Sequence, residues 1–151
     1  MFLQTQMLFS QSKSFIISGS SDYNETGNDI IELIDEKSYV VCGIENKVGS
    51  SRFLATFYKF TDEGAITDSA MLSFPGKSIY MHEILDGYND SLIFVGMLFD
   101  TGKLVSTRQD LSLVLFITDL SLNPIDTLFY PYPIPDNYYF ILTFLSQMRN
   151  E

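Results

Sequence analysis

A short phrase recurs along the chain, and it limits the fold more than any other feature. Ser38-Tyr39-Val40-Val41-Cys42-Gly43 and Ser91-Leu92-Ile93-Phe94-Val95-Gly96 share one pattern, a serine, four β-favouring residues and a glycine, and they start 53 residues apart. Ser14-Phe15-Ile16-Ile17-Ser18-Gly19 is an earlier copy, and Asn137-Tyr138-Tyr139-Phe140-Ile141-Leu142 is a later one without the glycine. Each glycine-bearing copy follows a polar turn and, before that, another β-like run. Self-similarity at such a period marks a stacked architecture in which one supersecondary unit is used again.

A second element follows two of these phrases. Lys59-Phe60-Thr61-Asp62-Glu63-Gly64-Ala65-Ile66 matches Asp119-Leu120-Ser121-Leu122-Asn123-Pro124-Ile125, one residue shorter, and each lies between two β-like runs. The unit then reads strand, turn, strand ending in glycine, variable loop, strand, polar turn, strand. Alternation across Arg52 to Phe60 puts Phe53, Ala55, Phe57 and Lys59 on one face and Leu54, Thr56, Tyr58 and Phe60 on the other. Both faces are largely apolar, as suits a strand covered on both sides. Asp62-Glu63-Gly64, Pro75-Gly76 and Asp86-Gly87 supply turn signals. Ile30-Ile31-Glu32-Leu33-Ile34 also fits a helical face, but the turn residues Asp35 to Ser38 follow at once, so a strand and a tight turn are expected. The strand-end glycine permits a bulge or a close backbone approach.

The expected fold is therefore all-β, made of tandem four-stranded antiparallel blade-like units, a partial β-propeller. One domain spans 1–151, with a partial unit at 1–28, repeat units at 29–78 and 79–135, and a partial unit at 136–151. Gly27-Asn28-Asp29-Ile30-Ile31-Glu32, with Lys37 to Gly43 and Phe57 to Gly64, resembles the β-propeller-type repeats of large bacterial secreted and surface proteins. Over roughly residues 29–135, the resemblance implies a non-catalytic interaction or scaffold module in a secreted or cell-surface protein. WD and kelch repeats fit worse, because the chain has no Trp and no Gly-Gly pair. Closing a propeller takes at least four blades, or roughly 200 residues at this period, and the chain has 151. It is expected to be a piece of a longer product, to complete a ring with other copies, or to close as a compact sandwich. Two alternatives to the scaffold reading are a fragment of a propeller-type carbohydrate-active enzyme and a truncated remnant without activity of its own.

Charge narrows the partners. Nine basic residues face nineteen acidic ones, a net charge of -10. Such a field repels phosphate, and the scattered Lys and Arg make no basic patch, so no nucleic acid is expected. No apolar run reaches the ~18 residues of a membrane span, so no membrane insertion is expected. The N-terminal residues Met1 to Gln6 do not resemble a secretory signal. A protein or glycan ligand, and self-association through sheet edges, are the partners expected.

No catalytic, cofactor or metal residue is assigned from the sequence, and the chain is expected not to be an enzyme. Cys42 reads as a buried small hydrophobe, since one cysteine makes neither an internal disulfide nor a Cys-based zinc site. His82 reads as structural, because acid–base chemistry needs a positioned partner. Asp22 to Asp29 resembles the start of a calcium loop, yet the ninth and twelfth positions are Ile30 and Leu33, where ligands are required; a polar loop is expected there. Asp86-Gly87-Tyr88-Asn89-Asp90 reads as a hairpin loop. Phe129 to Pro135 reads as an extended connector, with an aromatic platform for a glycan or peptide as its functional alternative. Asn24 and Asn89 head glycosylation sequons that matter only in a glycosylating host.

Overall fold

The computed structural model describes residues 22–101 and 111–131. They form two four-stranded sheets. Sheet 1 comprises β1 (Tyr23–Leu33), β2 (Ser38–Lys47), β3 (Leu54–Thr61) and β4 (Ile66–Leu72); sheet 2 comprises β5 (Lys77–Asp86), β6 (Ser91–Asp100), β7 (Ser112–Asp119) and β8 (Pro124–Pro131). Each is an antiparallel meander in sequence order. A three-residue 3-10 turn, Ile34–Glu36, joins β1 to β2 and is closed by Lys37 in the left-handed region. The first sheet begins at Tyr23, ahead of the expected boundary at 29. The Ser14 and Asn137 phrases lie outside the described residues.

The recurring glycine has a steric cause. In sheet 1 a bulge interrupts β1 between Gly27 and Asp29, opposite Gly43 and Cys42. In sheet 2 a bulge interrupts β5 between Met81 and Glu83, opposite Gly96 and Val95. A bulge bends its strand and locally disrupts the ladder, and here the partner backbone lies close to each glycine. A Cβ on Gly43 would fall 2.2 Å from the Thr26 carbonyl oxygen, and one on Gly96 2.7 Å from that of Tyr80. Asn28 and His82 are the extra residues of the two bulges.

The polar turns also match, in a different register from the one expected. Thr61 N–H donates to the Ala65 carbonyl and Gly64 N–H to that of Thr61; Asp119 N–H donates to Asn123 and Leu122 N–H to Asp119 in the same way. The Thr61 hydroxyl accepts the N–H groups of Glu63 and Ala65, as Asp119 Oδ1 accepts those of Ser121 and Asn123. Thr61 therefore corresponds to Asp119, and the two turns are equal in length. The register that sets Lys59 against Asp119 leaves out the side-chain acceptor that organises each turn. Gly64 and Leu122 take the same positive-φ position. Leu122 accepts that backbone while burying its side chain in the core, at 2% exposure.

One face of each sheet meets the other in a single core. Leu33, Val40, Cys42, Ala55 and Phe57 come from sheet 1, and Ile79, Met81, Ile84, Leu92, Phe94, Val114 and Phe116 from sheet 2. Phe57 sits 4.4 Å from Phe94 and 5.1 Å from Phe116 between ring centroids, within the range of favourable aromatic packing. Polar ties fasten the rim. Arg52 donates to the carbonyls of Phe74 and Lys77, and buried Lys59 donates to Glu36 and to the Leu120 carbonyl.

Candidate functional site

The residues singled out by sequence are held by the fold. Asp22 to Asp29 is no loop: β1 runs through it from Tyr23. Asn28 Nδ2 donates to the Met81 carbonyl at 2.5 Å. Asp29 spends one carboxylate oxygen on Ile30 N–H and the other on Ile84 N–H. The two residues clamp the first strand of sheet 1 to the first strand of sheet 2. Cys42 lies in the core, and its thiol is pushed up to about 12 by burial, with the Asp29 charge adding to it; such a thiol is not a nucleophile at neutral pH. His82 occupies the β5 bulge with its ring 4.7 Å from that of Tyr80, and partial desolvation lowers its pKa.

Asp86 to Asp90 forms the β5–β6 hairpin loop, as expected. Gly87 N–H donates to the Ser91 carbonyl, Ser91 Oγ donates to that of Tyr88, and Asn89 and Asp90 both have positive φ. This loop and the 3-10 turn of sheet 1 flank an open cleft of about 600 Å³, lined by Glu32, Asp35, Glu36, Asp86 and Asp90 among others. Phe129 and Tyr130 lie on edge strand β8, where the sequence suggested a connector; residues 132–135 fall outside the described residues. Both are exposed, and Phe129 makes an edge contact with Phe74 at 5.1 Å. Asn24 and Asn89 are exposed.

A site that sequence reasoning missed lies on the other face of sheet 1. A hollow of about 170 Å³ is lined there by Glu25, Thr26, Gly27, Val41, Gly43, Thr56, Tyr58 and Phe60. Glu25 stands directly opposite Glu45 across the β1–β2 pair. Like charges so placed oppose strand pairing. Desolvation raises the Glu45 pKa, and repulsion from Glu25 raises it further. Tyr58 is raised by desolvation and then by both carboxylates. Thr56 is only 6% exposed, and its hydroxyl has no hydrogen-bond partner among the described residues.

The unusual nature of this face shows when the two sheets are placed in register. Glycine, bulge and turn align Glu25, Gly27, Glu45, Thr56 and Tyr58 with Ile79, Met81, Leu98, Val114 and Phe116. The sheet 2 set packs in or against the shared core. At the same five positions sheet 1 has two carboxylates, two hydroxyls and a missing side chain. The glycine-to-glycine spacing held this signal, but it required pairing registers that the sequence does not supply.

Fold and site together define an antiparallel two-sheet protein that uses one four-stranded unit twice, with an acidic cleft at the turns and a polar hollow on one sheet. No protein-family model matches the chain, and no curated protein or solved structure matches it either.

Proposed function

We propose that the chain is a non-catalytic interaction module made of tandem blade-like units, in the manner of a partial β-propeller. One observation carries this reading. The face of sheet 2 turned away from sheet 1 bears Leu85, Ile93, Val95, Leu113 and Leu115, a second apolar cluster. In register these positions match Ile31, Val40, Cys42, Ala55 and Phe57, the face of sheet 1 that sheet 2 covers. The same apolar surface is made in both units, packed against sheet 2 in the first and forming a second buried cluster in the second, as suits a stack in which each unit buries its apolar face against a neighbour. The sequence resemblance alone supports a place in a secreted or surface protein.

Binding is favoured over hydrolysis by the placement of the acids. Glycoside cleavage needs two carboxyls flanking a sugar ring at a set separation. Most acidic groups of the described residues lie on strand ends and hairpin turns, and the hollow of about 170 Å³ on sheet 1 is small beside the ~300–1,000 Å³ of ordinary ligand pockets. Light scattering and ligand arrays test the proposal together. Stacking through the sheet 2 face predicts a discrete oligomer, reduced to monomer by Leu115→Glu. A glycan or peptide retained without turnover supports the binding role. A well-behaved monomer of 17.2 kDa argues against the stack, and turnover of a glycoside overturns the non-catalytic reading.

A further inference from the structure

We infer that the hollow on sheet 1 is a recognition site for a primary ammonium group on an aliphatic stem, the chemistry of a lysine side chain on a partner protein. The inference rests on the reading of the chain as a binding module and names the ligand that its first unit takes.

Three observations converge. The first is an unbalanced pair of charges. Glu25 and Glu45 face each other across adjacent strands, and the ion pairs of the described residues, Lys59–Glu36 and Lys77–Asp100, reach neither. A cation between them turns mutual repulsion into two charge-assisted hydrogen bonds. The second is Thr56, a residue only 6% exposed that lines the hollow, its hydroxyl accessible there and without a hydrogen-bond partner among the described residues. An ammonium has three donors and no acceptor; Glu25 and Thr56 line the hollow with acceptor oxygens, and Glu45 stands directly opposite Glu25 on the neighbouring strand.

The third is space that packing does not demand. A Cβ on Gly43 would strike backbone, so that glycine serves the bulge. A Cβ on Gly27 would meet only Val41 Cγ1, at 3.4 Å, an ordinary contact distance. The equivalent residue of sheet 2 is Met81, which fills core. Gly27 thus leaves open a volume that its counterpart fills. Val41, Tyr58 and Phe60 supply apolar walls for a methylene stem, with the Tyr58 and Phe60 ring centroids 6.2 Å apart. About 170 Å³ suits one side-chain end, not a chain of sugars. Among the described residues no group of three or more His, Cys, Asp or Glu is placed to hold a metal ion, which favours an organic cation. The net charge of -10 draws cations toward the molecule.

The test is an amide chemical-shift titration of the full chain with n-butylammonium chloride and with Nα-acetyl-lysine methylamide, using 1-butanol as the uncharged analogue. Saturable shifts are expected at Gly27, Gly43 and Thr56. Glu25→Gln and Glu45→Gln should each weaken binding tenfold or more, and Gly27→Met should abolish it by filling the hollow. Thr56→Val, which copies Val114 of sheet 2, should weaken it severalfold in a folded protein. Equal response to 1-butanol, shifts confined to residues 35–36 and 86–90, or unchanged affinity in the Glu25→Gln/Glu45→Gln double variant would overturn the inference. A glycan or neutral peptide that binds while butylammonium does not also overturns it, and leaves the binding-module reading standing. Turnover of a bound ligand sinks that reading instead.

Discussion

The corresponding faces of the two sheets share a backbone plan and differ in what covers them. In sheet 2, Ile79, Met81, Ile84, Phe94, Val114 and Phe116 pack against sheet 1. In sheet 1 the same register holds Glu25, Gly27, Ile30, Val41, Thr56 and Tyr58, and Ile30 is 55% exposed. Bulge, glycine and turn are repeated because they set backbone geometry, which each unit needs wherever it sits. Side chains on the face are free to diverge once, among the described residues, one copy packs against a neighbouring sheet and the other does not.

The largest effects should come from breaking what the two sheets share. Gly43→Ala drives a Cβ into the Thr26 carbonyl, and Gly96→Ala drives one into Tyr80 and Met81. Each should cost about 1–3 kcal/mol or more in urea unfolding, and a loss under 0.5 kcal/mol from both would mean that the bulges relax freely. Exchange across the faces sharpens the contrast. Met81→Gly gives sheet 2 the hollow of sheet 1 and should cost ~2–5 kcal/mol, whereas Gly27→Met should stay within about 1 kcal/mol. Comparable losses would show that the sheet 1 face is buried as sheet 2's is.

Exchange of polarity is the next step down. Val114→Thr puts a hydroxyl in the core and should cost ~1–3 kcal/mol; Thr56→Val should be neutral or stabilising, read from the same unfolding curves. pH separates the charged groups. Glu45 has its folded pKa raised by burial and by Glu25. Its contribution to stability is therefore complete below the ordinary carboxylate pKa and is lost as pH rises through the raised value. Asp119 has the opposite sign. The Asn123 side chain and backbone N–H groups lower its pKa, so its contribution is present above the ordinary value and is lost as pH falls through the lowered one. Glu45→Gln should remove the first slope and Asp119→Asn the second; one common pH profile for both variants would contradict the assignment.

The smallest effects belong to the two phrase-initial serines. Ser91 Oγ is bonded to the Tyr88 carbonyl, while Ser38 Oγ is buried without a partner among the described residues. Ser91→Ala should lose about 1 kcal/mol and Ser38→Ala should lose nothing or gain. Thermal melts that move both midpoints down equally would show the two serines to be equivalent.

The two four-stranded meanders were legible because strand alternation and turn residues are local signals. The bulge function of Gly43 and Gly96 was half legible: the sequence indicated a close approach, and the structure identifies the carbonyl approached. Asp22 to Asp29 misled because Asp, Asn and Gly read as loop residues, while cross-strand pairing and the Asn28 and Asp29 clamp onto β5 hold that segment extended. The register of the β7–β8 turn misled for a related reason. Asp119 organises it as Thr61 does the other, through an acceptor oxygen that two residue types supply equally.

By itself the sequence determined the strand content, the repeat, the hairpin turns and the acidic field, since each depends on residues near one another in the chain or on composition. Only the tertiary structure decided which of two half-apolar faces is buried, because that depends on the sheet that packs against it. The same is true of the hollow. Glu25, Glu45, Thr56 and Tyr58 are ordinary strand residues in sequence, and pairing across β1, β2 and β3 alone brings Glu25, Thr56 and Tyr58 around the space that Gly27 leaves open and sets Glu45 opposite Glu25.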